Sequence, residues 1–202
     1  MVNMRPDPSF VYRICHEPRA VFGLFVLSVL TVTALAAPWL APHDPLEQDL
    51  LYSFLPPTWY PQGESGYLLG TDNLGRDIIS RTVYGTRIAL VVAVIAASLA
   101  CLLGTVLGLC AGFFGGKVDL IISRVVDIWM SFPAVLLSIV LVAVIGAGLH
   151  AVIIAIVIID WTRFCRVVRA ETMVQKELDY VASGVTIGLS RIQLLLNEIL
   201  PN

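Results

Sequence analysis

The chain has 202 residues, of which 57% are hydrophobic and 14% charged, and its mean hydropathy is +0.84. Soluble domains average roughly 45–50% apolar and about 25% charged residues, so an ordinary soluble domain is excluded. The composition predicts an all-α integral membrane protein, a polytopic helix bundle whose excess apolar side chains face lipid. The formal net charge of −2 gives no basis for a nucleic-acid partner.

The first predicted element is a membrane span over about residues 21–40, preceded by a polar cytoplasmic segment, residues 1–20. About 20 apolar residues are enough to cross the hydrocarbon core of a bilayer. A cleaved signal peptide is the alternative, because Ala34-Leu35-Ala36 resembles a small-x-small cleavage site. The long leading region with its acidic Asp7 and Glu17 disfavours that alternative.

An external loop, residues 41–87, follows the first span. It is rich in proline and carries aromatic side chains of the kind that lie at membrane interfaces. Near its end, Thr71, Asp72 and Asn73 are turn formers and capping residues ahead of an amphipathic run. They predict a short helix at the outer membrane surface that leads into the second span.

Three further spans are predicted, over about residues 88–114, 128–149 and 150–168. The last has only nine apolar residues before Asp160, Arg163 and Arg166. At 1.5 Å per residue this apolar part is too short to cross the membrane alone. Its second half is expected to face protein, water or the interface, where Asp160 and Arg163 can pair at i, i+3.

The orientation follows from the Lys and Arg residues of the connecting segments, which concentrate on the cytoplasmic side of membrane proteins. With the N-terminus inside, ten basic residues are cytoplasmic and three external, which accounts for all 13. The external three are Arg76, Arg81 and Arg87. The loop after residue 168 is therefore predicted to be cytoplasmic, in a multi-pass membrane protein with its N-terminus inside; the resemblance described below implies the bacterial inner membrane.

The second span has a small residue at every fourth position, which aligns them on one helix face. Such a row lets two membrane helices approach closely. It predicts a helix contact within the subunit or with a partner membrane subunit. The row consists of Ala96, Ala100, Gly104, Gly108 and Gly112.

Catalytic chemistry has little support in the sequence. Gly115-Gly116-Lys117 lacks the first glycine and the Ser or Thr of a phosphate-binding loop, so any energy from ATP would have to come from a partner. Neither the four cysteines nor the three histidines have the spacing of a metal site. We expect no catalytic residue, no metal and no cofactor bound by this chain.

The last segment, residues 169–202, mixes charged with small and apolar residues. It is too polar for a span, and its pattern predicts a helix, a break near residues 184–188 and a second amphipathic helix through Ile192, Leu195, Leu196 and Ile199. Small residues at the break would let another protein approach. A solvated loop without a partner is the alternative.

Three stretches resemble the inner-membrane permeases of the dipeptide, oligopeptide and nickel ABC importers. They are LLGTDNLGRDIISRTVYGTR at 68–87, GFFGGKVDLIISRVVDIWMSFP at 112–133, and the region from Trp161 to Asn202. The external family motif maps onto Gly70, Thr71, Asp72, Gly75, Arg76 and Asp77. The last region resembles the cytoplasmic EAA loop, whose short coupling helix docks on the ATP-binding subunit. The docking residues would be Asp179, Tyr180, Val181, Ala182, Ser183, Gly184 and Gly188.

The chain departs from the family pattern in two places. Where the family has Glu-Ala-Ala, this chain has Ala182-Ser183-Gly184. Family members also continue from Leu-Pro-Asn into two further spans of a six-span core, so an apparent truncation after the loop is expected.

The resemblance implies a permease subunit that imports peptides, or nickel or a related solute, with energy from ATP. Its implied partners are a second permease, ATP-binding subunits, a periplasmic solute-binding protein and membrane lipid, with no nucleic acid. Two alternatives stay open. One is a transport-inactive remnant or regulatory partner-binding subunit, favoured by the altered EAA residues. The other is an ion-coupled carrier or channel that uses Asp160.

Overall fold

The computed structural model describes residues 17–201. Most of the predicted N-terminal segment, including Cys15 and His16, lies outside the described residues, as does Asn202. The described residues are helical, with no β-strand and an isolated antiparallel bridge between Thr71 and Asp77. They belong to two compact units, one ending at Val91 and one beginning at Val92. The predicted fold class, an all-α membrane protein, is confirmed.

The helices follow one another with short connections. They are α1 Pro18–Leu35, α2 Ala37–Leu40, a 3₁₀ turn Leu50–Tyr52, α3 Ile78–Phe114, α4 Gly116–Ser131, α5 Ala134–Ile145, α6 Leu149–Lys176, α7 Asp179–Thr186, α8 Arg191–Gln193 and a π-helical turn Leu194–Ile199.

The first unit contains α1, α2, the external loop and the start of α3. Proline at the first position of α1 suits a helix start, since its missing N–H would have no partner there. Most apolar side chains of α1 are exposed, and Ala34 is the buried one. This arrangement suits a helix that faces lipid.

The helix α3 begins at Ile78 and runs without a break for 37 residues. The predicted short helix that leads into the second span is therefore the first part of α3, and it begins at Ile78 rather than directly after residues 71–73. The cap is Asp77, whose Oδ2 accepts from the Ser80 backbone N–H at 2.8 Å, while Asp72 belongs to the preceding turn. No proline interrupts the run to Phe114, so nothing ends the helix earlier.

The predicted third span, about residues 128–149, is not one helix. The helix α4 ends at Ser131, α5 starts at Ala134, and the two are bent by 90°. Pro133 has no N–H to continue the α4 ladder and disfavours helical backbone at Phe132 before it. Hydropathy does not reveal this bend, because the sequence is equally apolar on both sides of it.

By length and composition, α1 and α3 can cross a membrane, and the bent α4–α5 pair adds a third span if it is counted as one. This criterion thus finds two or three candidate spans among the described residues, where four were predicted. The helix α6 is long enough, but Asp160, Arg163 and Arg166 interrupt its apolar sequence.

The second unit is organised around α6, against which α4 and α5 pack. One buried cluster joins Val126 of α4 to Trp161 and Cys165 of α6. Nearby, the Trp129 indole N–H donates to the Ile158 carbonyl at 2.7 Å. A second cluster lies at the other end of α6 and consists of Leu109, Phe113, Val181, Leu194 and Ile199.

Candidate functional site

The small-residue row of α3 faces α6. Ala96 and Ala100 are fully buried. A Cβ added to Gly104 would lie 2.6 Å from the Trp161 carbonyl oxygen, and one added to Gly108 would lie 2.7 Å from the Cys165 carbonyl oxygen. The two helix backbones are thus in direct contact, as small residues at every fourth position allow.

The same contact continues to the end of α3. A Cβ on Gly112 would lie 2.7 Å from Cβ of Thr172 and 2.8 Å from the Arg169 carbonyl oxygen. Thr172 is itself buried, and its hydroxyl donates to the Val168 carbonyl at 2.7 Å. All these neighbours lie within this chain, so the structure places the row against α6.

Two ion pairs hold the charged half of α6 to α4. Arg169 donates hydrogen bonds from both Nε and Nη2 to the Asp119 carboxylate, and Nη2 lies 2.7 Å from Oδ2. Bidentate pairs of this kind fix geometry as well as adding attraction. Arg166 lies 3.4 Å from Asp127 on the same face, with both side chains more than half exposed. The Asp119 pair, which is mostly buried, is the stronger constraint.

The predicted docking residues form a short helix at the end of α6. Val181 and Gly184 of α7 are buried, whereas Ala182 and Ser183 are exposed. Inward, a Cβ on Gly184 would meet Cδ2 of Leu194 at 2.6 Å, so the two segments touch. The opposite face of α7, which includes Ala182 and Ser183, is exposed.

The end of α7 is closed by backbone hydrogen bonds. Gly188 has a φ of +86°, a left-handed conformation that favours glycine. The Leu189 N–H donates to the Gly184 carbonyl at 3.1 Å, and the Gly188 N–H donates to the Val185 carbonyl at 3.0 Å. This pair of bonds is the Schellman motif. The predicted break therefore lies at residues 187–190.

A capping box starts the next helical segment. The Ser190 side chain accepts from the Gln193 N–H, and the Gln193 side chain accepts from the Ser190 N–H. In the first turn of α7, the Tyr180 hydroxyl donates to Gln175 of α6 at 2.7 Å, and Gln175 in turn donates to Glu171 at 2.9 Å. Tyr180 thus ties α7 to α6. Asp179 lies exposed in the first turn of α7.

The external motif folds around Asp72. Its Oδ1 accepts from the Leu74 N–H at 2.8 Å and the Arg76 N–H at 3.0 Å, and its Oδ2 accepts from Arg76 Nε at 2.9 Å. Arg81 also pairs with Oδ2. Burial raises the pKa of the Asp72 carboxyl, but the hydrogen bonds from Arg76 and Leu74 outweigh burial and hold the pKa well below its ordinary value.

The remaining motif residues tie this turn to the rest of the loop. The buried Thr71 hydroxyl accepts from the Leu55 N–H at 3.0 Å and donates to the Tyr52 carbonyl. Gly75 has a φ of +73° and lies so close to the Asp49 backbone that no Cβ fits; Gly70 is in the same situation against Leu55. The structure therefore joins the predicted motif to residues 49–55.

Asp77 is almost fully buried beside His43. Its Oδ2 accepts from the Ser80 hydroxyl at 2.6 Å and lies 3.9 Å from His43 Nδ1. The His43 backbone N–H donates to the Ser80 hydroxyl at 3.0 Å. This contact links the loop after α2 to the start of α3.

Asp160, on which the ion-coupled alternative depends, lies 3.5 Å from Arg163, as the i, i+3 spacing predicted. Both border an open groove of about 450 Å³ between α3 and α6 that is otherwise apolar. No group of three His, Cys, Asp or Glu residues among residues 17–201 could hold a metal ion.

Several of these residues were not identified from the sequence. The Asp119–Arg169 pair and the His43–Asp77 contact join positions far apart in the chain. The packing of Leu194 on Gly184 depends on the turn that follows α7. Asp119 and Arg169 are charged residues at the ends of apolar runs, and such residues usually form ion pairs. The sequence does not indicate which residue is the partner of each.

Comparisons with known proteins match both halves of the chain. Residues 104–202 match the family described as binding-protein-dependent transport system inner membrane component. Residues 9–57 match the N-terminal transmembrane domain of oligopeptide transport permease C.

Curated relatives cover nearly the whole chain. It is 41% identical over 197 residues to the dipeptide transport system permease protein DppC of Haemophilus influenzae, with 98% of this chain and 67% of the relative aligned. It is 36% identical to the di/tripeptide transport system permease protein DppC of Pseudomonas aeruginosa (97% and 68%). It is 39% identical to the glutathione transport system permease protein GsiD of Pectobacterium atrosepticum (97% and 64%). The chain thus spans about two thirds of the length of these relatives.

Proposed function

The chain belongs to the inner-membrane permease family of the dipeptide, oligopeptide and nickel ABC importers, and from this membership we propose that it is a permease subunit through which an ATP-driven importer passes small peptides. The similar relatives carry names for dipeptide, di/tripeptide and glutathione transport. A short peptide is therefore favoured over nickel as the solute.

The observation that carries the proposal is the form of α7. Its inner face is fixed by Val181 and Gly184, while Val185 and Ile187 are 60% and 78% exposed. In the proposed orientation this end of the chain is cytoplasmic, where exposed apolar side chains next to a rigid helix mark a protein contact. We assign that contact to an ATP-binding subunit.

In this proposal each remaining partner contacts a different part of the chain. The external loop, with its turn around Asp72, faces the periplasmic solute-binding protein. A second permease completes the pathway, and the exposed apolar faces of α1 and α3 contact lipid or that permease. The chain itself binds no ATP and catalyses no reaction.

The experiment is reconstitution of the chain with a second permease, the ATP-binding subunits and the binding protein in proteoliposomes, followed by uptake of a labelled dipeptide. We expect uptake that requires ATP. Val185→Asp together with Ile187→Asp should abolish uptake and co-purification of the ATP-binding subunits, because both add charge to the docking face.

Val174→Asp is the matched control, since Val174 is 59% exposed on α6 outside α7. It should leave both measurements unchanged. Uptake that does not depend on ATP, or that survives the double α7 variant, would contradict the proposal.

A further inference from the structure

A basic cavity lies beside α7 on the side of position 182. Its volume is about 550 Å³, within the range of pockets that hold ligands or side chains. The floor is apolar and includes Phe113 and Leu194, and the charged lining residues are Lys176 and Arg191. No carboxylate lines it. The cavity therefore combines an apolar floor with two positive charges.

Neither cation has an acidic partner among residues 17–201. Lys176 Nζ lies 6.0 Å from the centre of the Phe113 ring, a cation–π contact, and Arg191 forms no ion pair in this part of the chain. Other basic residues nearby do pair, as Arg169 does with Asp119. Lys176 and Arg191 are thus left to attract an anion from outside.

The sequence of α7 explains why the cavity holds no carboxylate of its own. Ala182 lines the cavity. By the resemblance described above, it stands where the EAA motif has glutamate. The methyl group leaves the space open and both cations uncompensated. The acidic residues at 177 and 179 are exposed and do not border the cavity.

We propose that this cavity receives an aspartate or glutamate side chain of the ATP-binding subunit, which pairs with Lys176 and Arg191. The proposal rests on the function proposed above and adds the sign of the charge that the partner presents. Arginine offers two parallel donors to a carboxylate, and the adjacent apolar floor suits the aliphatic part of the same side chain. The partner charge would be opposite in sign to one that pairs with a motif glutamate.

The test measures the dissociation constant between the full-length permease in nanodiscs and a purified ATP-binding subunit of the same transporter, at low and high salt. Removal of the two charges by Lys176→Gln with Arg191→Gln should weaken binding at least about tenfold at low salt. Binding by the wild type should weaken as salt rises, and binding by this variant much less so.

Ala182→Glu provides the converse test, with Ala182→Gln as the control of equal size. The new carboxylate would occupy the cavity and compensate both cations, so binding should weaken about tenfold, whereas Ala182→Gln should change it less than threefold. The two variants differ only in charge. Folding is checked by the melting temperature of each variant, which should not fall for Ala182→Glu, because its charge is compensated.

The outcomes separate this inference from the proposed function. If the wild type binds the subunit but the Lys176/Arg191 variant binds equally well, the cavity proposal is refuted and docking through α7 stands. Stronger binding by Ala182→Glu would show that the partner presents a cation and would also refute it. Binding that requires anionic phosphatidylglycerol in the nanodisc would assign the cavity to lipid. A wild type that binds no ATP-binding subunit would refute both proposals.

Discussion

Alanine at Gly108 puts a methyl group into the contact between α3 and α6. The new Cβ would lie 2.7 Å from the Cys165 carbonyl oxygen, 2.9 Å from Cβ of Val168 and 3.0 Å from the Arg169 backbone nitrogen. Two of these three atoms belong to the main chain of a helix, so no change of rotamer removes the clash. The helices have to separate by roughly 0.7 Å to restore an ordinary contact near 3.4 Å.

That separation weakens the whole row of contacts. A radial gap of 0.5–1 Å forfeits about a quarter to a half of the dispersion attraction of the atoms concerned. Gly104, Gly112 and the buried Ala100 lie on the same face and would lose contact together. Overpacking of this kind costs about 1–3 kcal/mol. We therefore expect Gly108→Ala to destabilise the protein by about 2 kcal/mol.

The helix α3 supplies its own control. Gly85 lies in the same helix, and a Cβ there would meet no atom within 4 Å. Gly85→Ala should be neutral or stabilising by up to about 1 kcal/mol, the difference in helix propensity between the two residues. The two substitutions are chemically identical, so the difference between them isolates the contact with α6.

The assay uses Cys165, which is 1% exposed in the α3–α6 contact. With the other cysteines replaced by serine, a fluorogenic maleimide reacts with Cys165 only when the helices part on heating. For this chain length a loss of 2 kcal/mol corresponds to a midpoint lower by about 4–8 °C. Equal midpoints for Gly108→Ala and Gly85→Ala would refute the tight backbone contact.

Three further predictions concern the ion pairs and the turn after α7. Because the pKa of Asp72 in the folded loop lies below its unfolded value, its stabilisation is fully present above about pH 4 and is lost as the pH falls further. Limited proteolysis should find the wild-type loop protected at pH 5 and the Asp72→Asn loop cleaved. Arg169→Lys, which cannot form the bidentate pair, should lower stability by about 1 kcal/mol, and the loss should disappear in an Asp119→Asn background, as a double-mutant cycle would show. Gly188→Ala, at a φ of +86°, should cost about 1–2 kcal/mol and increase protease cleavage after α7, whereas Gly188→Asn should cost less.

Backbone conformation was predictable at positions where the residue type restricts it. The break after α7 was predicted from the small residues near 184–188, and α7 does end just before Gly188, which has a φ of +86°. Gly115 and Gly116, which join α3 to α4, also have positive φ. A positive φ is a conformation that residues other than glycine avoid, so a glycine at a single position is enough to indicate a turn.

Long-range geometry was not predictable in the same way. The third span was predicted to run through Pro133 because hydropathy does not change there, and hydropathy does not report how α4 and α5 pack on α6 with a 90° bend between them. The cap of α3 was assigned to residues 71–73 because they are good capping residues. Thr71 instead bonds to Tyr52 and Leu55, the Asp72 side chain accepts from Leu74 and Arg76, and Asp77 is the cap.

The arrangement of the second unit connects α7 to both long helices at once. Phe113 at the end of α3 and Val168 of α6 both contact the cluster that buries Val181 and Leu194. Along the preceding three turns, α3 and α6 touch through their backbones, so they cannot slide past each other without clashes at the glycines. A displacement of α7 by an ATP-binding subunit would therefore move α3 and α6 as a pair. In a permease, that linkage is a physical route from the docking helix to the membrane-spanning part, and it depends on contacts within this chain alone.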